Sequence, residues 1–143
     1  MATLFTAEDT IETWMSTDLN ALADATNVLS SALSNDAATT ERRPYANIEI
    51  FTGTQTARST DAVISLYIIP EVDDTNYGDA TNYDNYFVAS VKLDAAVTAR
   101  YSIITMVTLP PSDFKIVLRN DTGQAFAATG NTVKAKRFGF EDV

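Results

Sequence analysis

The run Val63-Ile64-Ser65-Leu66-Tyr67-Ile68-Ile69 predicts a β-strand that is apolar on both of its faces. Alternate side chains of a strand point to opposite faces, so Ile64, Leu66 and Ile68 share one face and the intervening residues share the other. A strand of this kind is central in a sandwich or is covered by a neighbouring segment. The sequence therefore predicts a β protein with this strand at its centre.

Further short runs rich in Val, Ile, Tyr, Phe and Thr are bounded by turn residues, which is typical of strands. The clearest of these runs is Ile48-Glu49-Ile50-Phe51. In total, we expect strands near 45–52, 62–69, 86–93, 100–108, 113–119 and 132–138, and a short one near 124–128. Strands at this spacing without intervening helices are typical of an antiparallel β-sandwich or jelly roll. The predicted fold is therefore mainly β, with the sandwich domain spanning residues 45–143.

Residues 1–44 form a different segment, which we expect to be a partly helical N-terminal arm. Thr6-Ala7-Glu8-Asp9 resembles a helix capping box. Apolar residues then recur at helical spacing over residues 6–34, namely Ile11, Met15, Leu19, Leu22, Leu29 and Leu33. Two hypotheses follow: this stripe packs on its own domain, or it forms an arm that packs on a neighbouring molecule.

The composition of the 143 residues excludes several kinds of chemistry. Cysteine and histidine are absent, so disulfides, thiolate nucleophiles, Ser-His or Cys-His triads and histidine metal sites are excluded. Glu49 and Asp113 are the carboxylates nearest to strong strand patterns, but nothing in the sequence pairs them as a glycosidase requires. We therefore expect a protein that is not an enzyme and that uses no cofactor. The sequence also lacks the long apolar run of a membrane span.

The negative charge is concentrated in one half of the chain. The whole chain has a formal net charge of −9. Residues 1–80 contain 13 acidic and 3 basic residues, a net charge of −10, whereas residues 81–143 contain 6 acidic and 7 basic residues, a net charge of +1. Because an acidic surface repels phosphates, we expect no general binding to nucleic acid.

The long polar segment 71–85 contains two groups of residues that could bind a partner. Tyr77, Tyr83 and Tyr86 lie among Asn and Asp residues, a combination that suits a protein interface or the stacking of a sugar. We prefer the protein interface. The oxygens of Asp73, Asp74, Asn76, Asp79 and Asp84 suggest a Ca²⁺ site. Their spacing does not match an EF-hand, and we prefer a solvated loop without a metal.

The last predicted strand has a basic face. Lys134 and Lys136 fall on one face, opposite Val133 and Ala135, and Arg137 follows. Lysines guard edge strands against aggregation, so one interpretation is a protected edge strand. The other interpretation is a basic patch that meets an acidic surface of a partner.

Two segments resemble small virion structural proteins of tailed bacteriophages. The segments are WMSTDLNAL at residues 14–22 and LPPSDFKIVLRNDTGQAFAATGNTVKAKRF at residues 109–138. In its predicted architecture the chain also resembles the capsid decoration, or cement, proteins. The resemblance implies a protein made in the host cytoplasm and located on the capsid surface of the virion. Its partners would be the major capsid protein and further copies of itself, as a trimer or dimer.

This resemblance leads us to expect that the arm contacts the capsid shell. The expected contact residues of the arm are Leu4, Phe5, Trp14, Met15 and Leu19, and deletion of residues 1–20 is expected to leave the sandwich folded. The segment with Tyr77 and Tyr83, and with Tyr86 at its edge, would lie at a contact between subunits or would face outward. Two alternatives stay open: a structural protein of the tail or neck, and a carbohydrate-binding jelly roll that adheres to host surfaces through Tyr77, Tyr83 and Tyr86.

Overall fold

The computed structural model describes residues 9–35, 43–71, 73, 75–79 and 81–140, and the backbone alone of residues 3–5 and 141–142. In this part of the chain, ten strands account for most of the regular structure. Their bounds are β1 Thr3–Phe5, β2 Glu12–Met15, β3 Thr26–Leu29, β4 Tyr45–Thr52, β5 Val63–Pro70, β6 Phe87–Lys92, β7 Arg100–Thr108, β8 Phe114–Asp121, β9 Thr132–Phe138 and β10 Phe140–Asp142.

Eight of these strands form two four-stranded antiparallel sheets. The first sheet has the order β2-β9-β4-β7 and the second has the order β3-β8-β5-β6, while β1 pairs with β10 in a short ribbon. Strands that are consecutive in sequence therefore tend to lie in different sheets, which is the arrangement of a jelly roll. The predicted mainly β sandwich or jelly roll is confirmed. The short strand expected near 124–128 does not form.

The core lies between the two sheets. Ile64, Leu66 and Ile68 of β5 are buried there, together with Phe114 and Ile116 of β8. The opposite face of β5 is also buried, because Tyr67 and Ile69 belong to a second apolar cluster on the outer side of the second sheet. The expectation that this strand is apolar on both faces because both are covered is confirmed.

The helical prediction for the N-terminal segment is wrong among the described residues. One 3-10 turn at Thr17–Leu19 is present, flanked by β2 and β3. The chain reverses direction near Ala21 and Ala25, which both have a φ of 57°, a left-handed conformation that ends any α-helix. A bulge in β2 breaks the alternation of the strand and lets the adjacent residues Trp14 and Met15 both be buried. Apolar residues spaced by a bulge and a tight turn mimic the period of a helix.

The expected division between an arm and a sandwich domain also needs correction. β2 pairs with β9 and β3 pairs with β8, so the described residues before 36 belong to both sheets. Trp14, Met15 and Leu19 are buried in the core and are not exposed to a partner. Deletion of residues 1–20 would remove β2 and these core side chains, so the structure predicts that the deletion destabilises the sandwich. Leu4 and Phe5 lie in β1, and their side chains lie outside the described residues.

A partly buried ion pair connects β2 to β9. The side chain of Arg137 is only 8% exposed, and its Nε lies 2.9 Å from Oε1 of Glu12. Arg137 Nη2 donates to Glu12 Oε2 at 3.0 Å, and Nη1 donates to the carbonyl of Ser34 at 2.5 Å and to Oδ1 of Asn35 at 3.2 Å. One guanidinium therefore holds β9, β2 and the segment that leads out of β3 together.

A second buried arginine positions the loop that leads into β7. Arg58 donates from Nη1 to the carbonyl of Ala96 at 2.7 Å and from Nη2 to the carbonyl of Thr98 at 2.8 Å. Its Nε donates to Oε1 of Gln55 at 2.5 Å. Burial lowers the pKa of Arg58, and the neighbouring carboxylate of Asp94 opposes that effect. The start of β7 is thus fixed against the loop between β4 and β5.

Candidate functional site

The tyrosine-rich segment packs on the outer face of the second sheet. Tyr83 is only 8% exposed, and its ring contacts that of Tyr67 edge-on, with a centroid distance of 4.6 Å. Arg119 Nη1 donates to the Tyr83 hydroxyl at 3.2 Å, while Arg119 Nε donates to Oδ2 of Asp121 at 2.7 Å. These two hydrogen bonds raise the pKa of Arg119. Tyr83 is therefore a packing residue, and the expectation that it contacts a partner is corrected.

Tyr77 and Tyr86 are half-buried in the same cluster. The Nζ atom of Lys115 lies 4.2 Å from the centroid of the Tyr77 ring. Burial raises the pKa of Tyr77, and the carboxylates of Glu71 and Asp113 add to that effect. The Tyr86 ring covers Gly78, where a Cβ atom would lie 2.4 Å from the Tyr86 hydroxyl oxygen. The structure thus uses both tyrosines to cover the outer face of β5.

The acidic residues of this segment mainly bind its own backbone. Asp73 accepts hydrogen bonds from the backbone N–H of Asn76 at 2.6 Å and from its side-chain amide at 2.7 Å, which lower the pKa of Asp73. Asp79 accepts from the hydroxyl and the backbone N–H of Thr81, which lowers the pKa of Asp79. Among the described residues, no group of three or more acidic side chains could hold a metal ion. Asp74 lies outside them.

A different site lies on the outer face of the first sheet. This outer-face groove encloses about 420 Å³ and crosses β9, β4 and β7. The residues that line it are Ile11, Asn47, Ile48, Glu49, Tyr101, Ile103, Lys134, Ala135 and Lys136. Ile48 and Ala135 point into the core and contribute only to the floor of the groove, since both are buried.

The centre of the outer-face groove is charged. Glu49 of β4 lies directly opposite Lys134 of β9 in the register of the sheet, and Asn47 lies opposite Lys136. β9 lies between β2 and β4, so the interpretation of the lysines as guards of an edge strand is wrong. The basic face predicted for β9 consists of the two lysines of the groove, because Arg137 is buried on the other side of the strand. The interpretation as a patch that meets a partner stays a prediction.

The walls of the outer-face groove are apolar. Tyr101 is 69% exposed and Ile103 is 64% exposed on one side, and Ile11 is 63% exposed on the other. The Tyr101 ring is supported by Phe51, its neighbour on β4, with a centroid distance of 4.5 Å. Large apolar side chains that are this exposed and lie around one depression are typical of a binding surface.

Glu49 and Asp113, the two carboxylates that lie nearest to strong strand patterns, do not meet in the groove. Glu49 lies on the outer face of the first sheet, whereas Asp113 precedes β8 of the second sheet. An exposed aromatic ring beside an amide, a carboxylate and two ammonium groups offers one stacking surface and several hydrogen-bonding groups. The arrangement suits non-covalent recognition of a peptide or a saccharide.

Among the described residues, no helix is long and apolar enough to cross a membrane.

The sequence of β7 contains exposed residues of this site, but its pattern does not show which face is open. Tyr101 and Ile103 fall on one face of β7 and Ile104 falls on the other, so large apolar side chains occur on both faces. The pattern of each strand alone does not distinguish an outer face that is covered from one that is open. The sequence identifies Glu49 as a carboxylate within a strand. The walls of the groove come from segments that are distant in sequence, so the sequence pattern does not bring them together.

Comparison with known proteins adds one structural similarity. No protein-family model and no curated protein sequence matches the chain. Among solved structures, the chain is similar to TmCBM61 in complex with beta-1,4-galactotriose, with 9% identity and a TM-score of 0.32 over 85% of this chain and 68% of that one.

Proposed function

We propose that this chain is a non-enzymatic structural protein of a phage virion, a capsid decoration protein that binds the major capsid protein through the outer-face groove. The observation that carries the proposal is the exposure of Ile11, Tyr101 and Ile103 around a charged centre. Interfaces between proteins combine exposed aromatic and aliphatic anchors with polar groups that set orientation. The jelly-roll fold and the resemblance of residues 14–22 and 109–138 to phage virion proteins support the same proposal.

The charges of the outer-face groove suit a surface of mixed charge on the capsid. Lys134 and Lys136 place two positive groups in a chain whose net charge is −9. An acidic partner segment would approach this face more readily than the rest of the molecule, since complementary charge increases the rate of encounter. Glu49 in the centre of the groove would pair with one basic group of the partner.

Substitution of a groove wall should weaken binding to the capsid. We expect Tyr101→Ala to reduce affinity about thirtyfold, the effect of losing one aromatic anchor at an interface. The measurement is cosedimentation with capsid shells of the phage that encodes the chain. Val97→Ala is the matched control, because Val97 is also an exposed apolar residue but lies outside the groove. Equal binding of the parent and Tyr101→Ala would remove the groove from the proposal, and absence of the chain from purified virions would contradict the proposal itself.

Carbohydrate binding is the second candidate, and the exposure of Tyr101 favours it. A sugar ring stacks on an exposed aromatic ring and hydrogen-bonds to amide, carboxylate and ammonium groups nearby. Tyr77, Tyr83 and Tyr86 pack on the second sheet. The residues that we propose to contact the sugar are therefore Tyr101, Asn47 and Glu49.

A glycan array of bacterial surface polysaccharides tests this candidate. If it is correct, the labelled parent protein gives a signal that Tyr101→Ala loses and Tyr77→Ala keeps. The two tyrosines are matched in chemistry and differ in location, since Tyr77 belongs to the cluster on the second sheet. A parent signal at background, or a loss with Tyr77→Ala alone, would contradict it.

A further inference from the structure

β7 forms an open edge of the first sheet. It lies at the end of the order β2-β9-β4-β7, and among the described residues no strand other than β4 pairs with it. β7 is nine residues long, whereas the other edge strands of the two sheets have four residues in β2, four in β3 and six in β6. An edge strand presents a row of N–H and C=O groups that another strand can pair with.

This edge also lacks the charged side chains that prevent pairing between molecules. Arg100 is the only charged residue of β7, and its Nε donates to Oδ1 of Asp94 at 3.1 Å. From Tyr101 to Thr108 every side chain is uncharged. Proteins usually protect the edge of a sheet with lysine or proline, or by keeping the edge strand very short. An uncharged edge with exposed Tyr101 and Ile103 is therefore suited to being covered.

We propose that a second copy of the chain covers this edge, by antiparallel pairing of β7 with β7 about a two-fold axis. Two copies of net charge −9 repel each other, and this repulsion is smaller at a contact surface that lacks acidic groups, as β7 does. Pairing of one strand with itself is self-complementary, because each copy supplies the same donors and acceptors. The product is a continuous eight-stranded sheet that brings the two outer-face grooves side by side.

The far end of β7 limits how far the pairing extends. Met106 has a φ of 57°, and its backbone N–H donates to Oδ1 of Asn47 at 3.1 Å instead of continuing the regular ladder. This bulge lies where the register between β4 and β7 shifts, and bulges twist an edge strand away from its plane. The paired segment is therefore residues 100–104, ahead of the bulge.

Single cysteines test this pairing, because the chain has none of its own. We make five variants, each with one cysteine at a position from 100 to 104, the segment that is expected to pair. Around a two-fold axis one position lies opposite itself, with a Cα separation of about 5 Å, which a disulfide spans. We expect one of the five to form a disulfide-linked dimer of two 15.5 kDa chains at least about tenfold faster than the others. Ile11→Cys is the control and should not cross-link, because Ile11 lies next to β2, at the other edge of the same sheet.

Sedimentation across a concentration series provides an independent test. We expect the parent and Ile11→Lys to dimerise equally and Ile103→Lys to remain a monomer with an unchanged melting curve. The two isoleucines are almost equally exposed, so the variants differ in position alone. A parent that stays monomeric, five cysteine variants that cross-link equally slowly, or dimerisation of Ile103→Lys would overturn the proposal. None of these results depends on capsid binding, so failure here leaves the proposed function standing.

Discussion

Arg137→Met should lower the free energy of unfolding by about 3 kcal/mol or more. The substitution removes the partner of the Glu12 carboxylate, whose side chain is 34% exposed, and the donors to the carbonyl of Ser34 and to the buried side chain of Asn35. A partly buried carboxylate left without its cation and a buried amide oxygen left without its donor cost more than these contacts contributed when intact. The guanidinium also lies 5.7 Å from the centroid of the Trp14 ring, so the packing of β2 changes with it. The measurement is chemical denaturation followed by tryptophan fluorescence, since Trp14 is the only tryptophan.

Two variants separate the partly buried ion pair from a general effect of losing an arginine. Arg100→Met removes a more exposed arginine that pairs with Asp94, and it should cost much less stability than Arg137→Met, because solvent screens that pair. Adding Glu12→Leu to Arg137→Met should restore part of the lost stability, because no unpaired charge then remains. If Arg137→Met and Arg100→Met cost the same, the ion pair is not the element that holds β2 to β9.

Tyr83→Ala should have the second large effect, a loss of about 3 kcal/mol in the free energy of unfolding. Removal of this ring leaves a cavity against Tyr67 and exposes the outer face of β5. Tyr83→Phe should cost only about 1 kcal/mol, because it removes the hydroxyl that accepts from Arg119 and keeps the packing. Thermal and denaturant unfolding of the three proteins measure both steps.

Tyr101→Ala is the matched control for stability, because it removes the same type of ring from an exposed position. It should cost no more than about 1 kcal/mol, the value of its contact with the Phe51 ring. The same pair of variants should show the opposite order in partner binding, with the folded fraction of Tyr83→Ala binding as the parent does. A stable Tyr83→Ala variant that has lost binding would indicate that the tyrosine-rich segment, and not the outer-face groove, is the binding site.

The positions of the strands along the chain after residue 44 were predictable from local patterns. The expected strands near 45–52, 100–108 and 132–138 coincide with β4, β7 and β9. Their alternating side chains indicate which face is buried before any partner is known. The N-terminal segment was not predictable in the same way. β2 and β3 have four residues each, and they become strands only by pairing with β9 and β8, about a hundred residues later in the chain.

The location of the candidate site depended on the tertiary structure for a related reason. By itself, the sequence determined that β5 is apolar on both faces and that the chain lacks cysteine and histidine. Only the folded structure decided which outer face is covered. The tyrosine-rich segment folds back over β5 through Tyr83 and Tyr67, whereas the described residues place no such segment over Tyr101 and Ile103 of β7. Burial is a property of contacts between distant segments, so the local pattern of a strand does not decide whether its outer face is packed, as in β5, or exposed, as in β7.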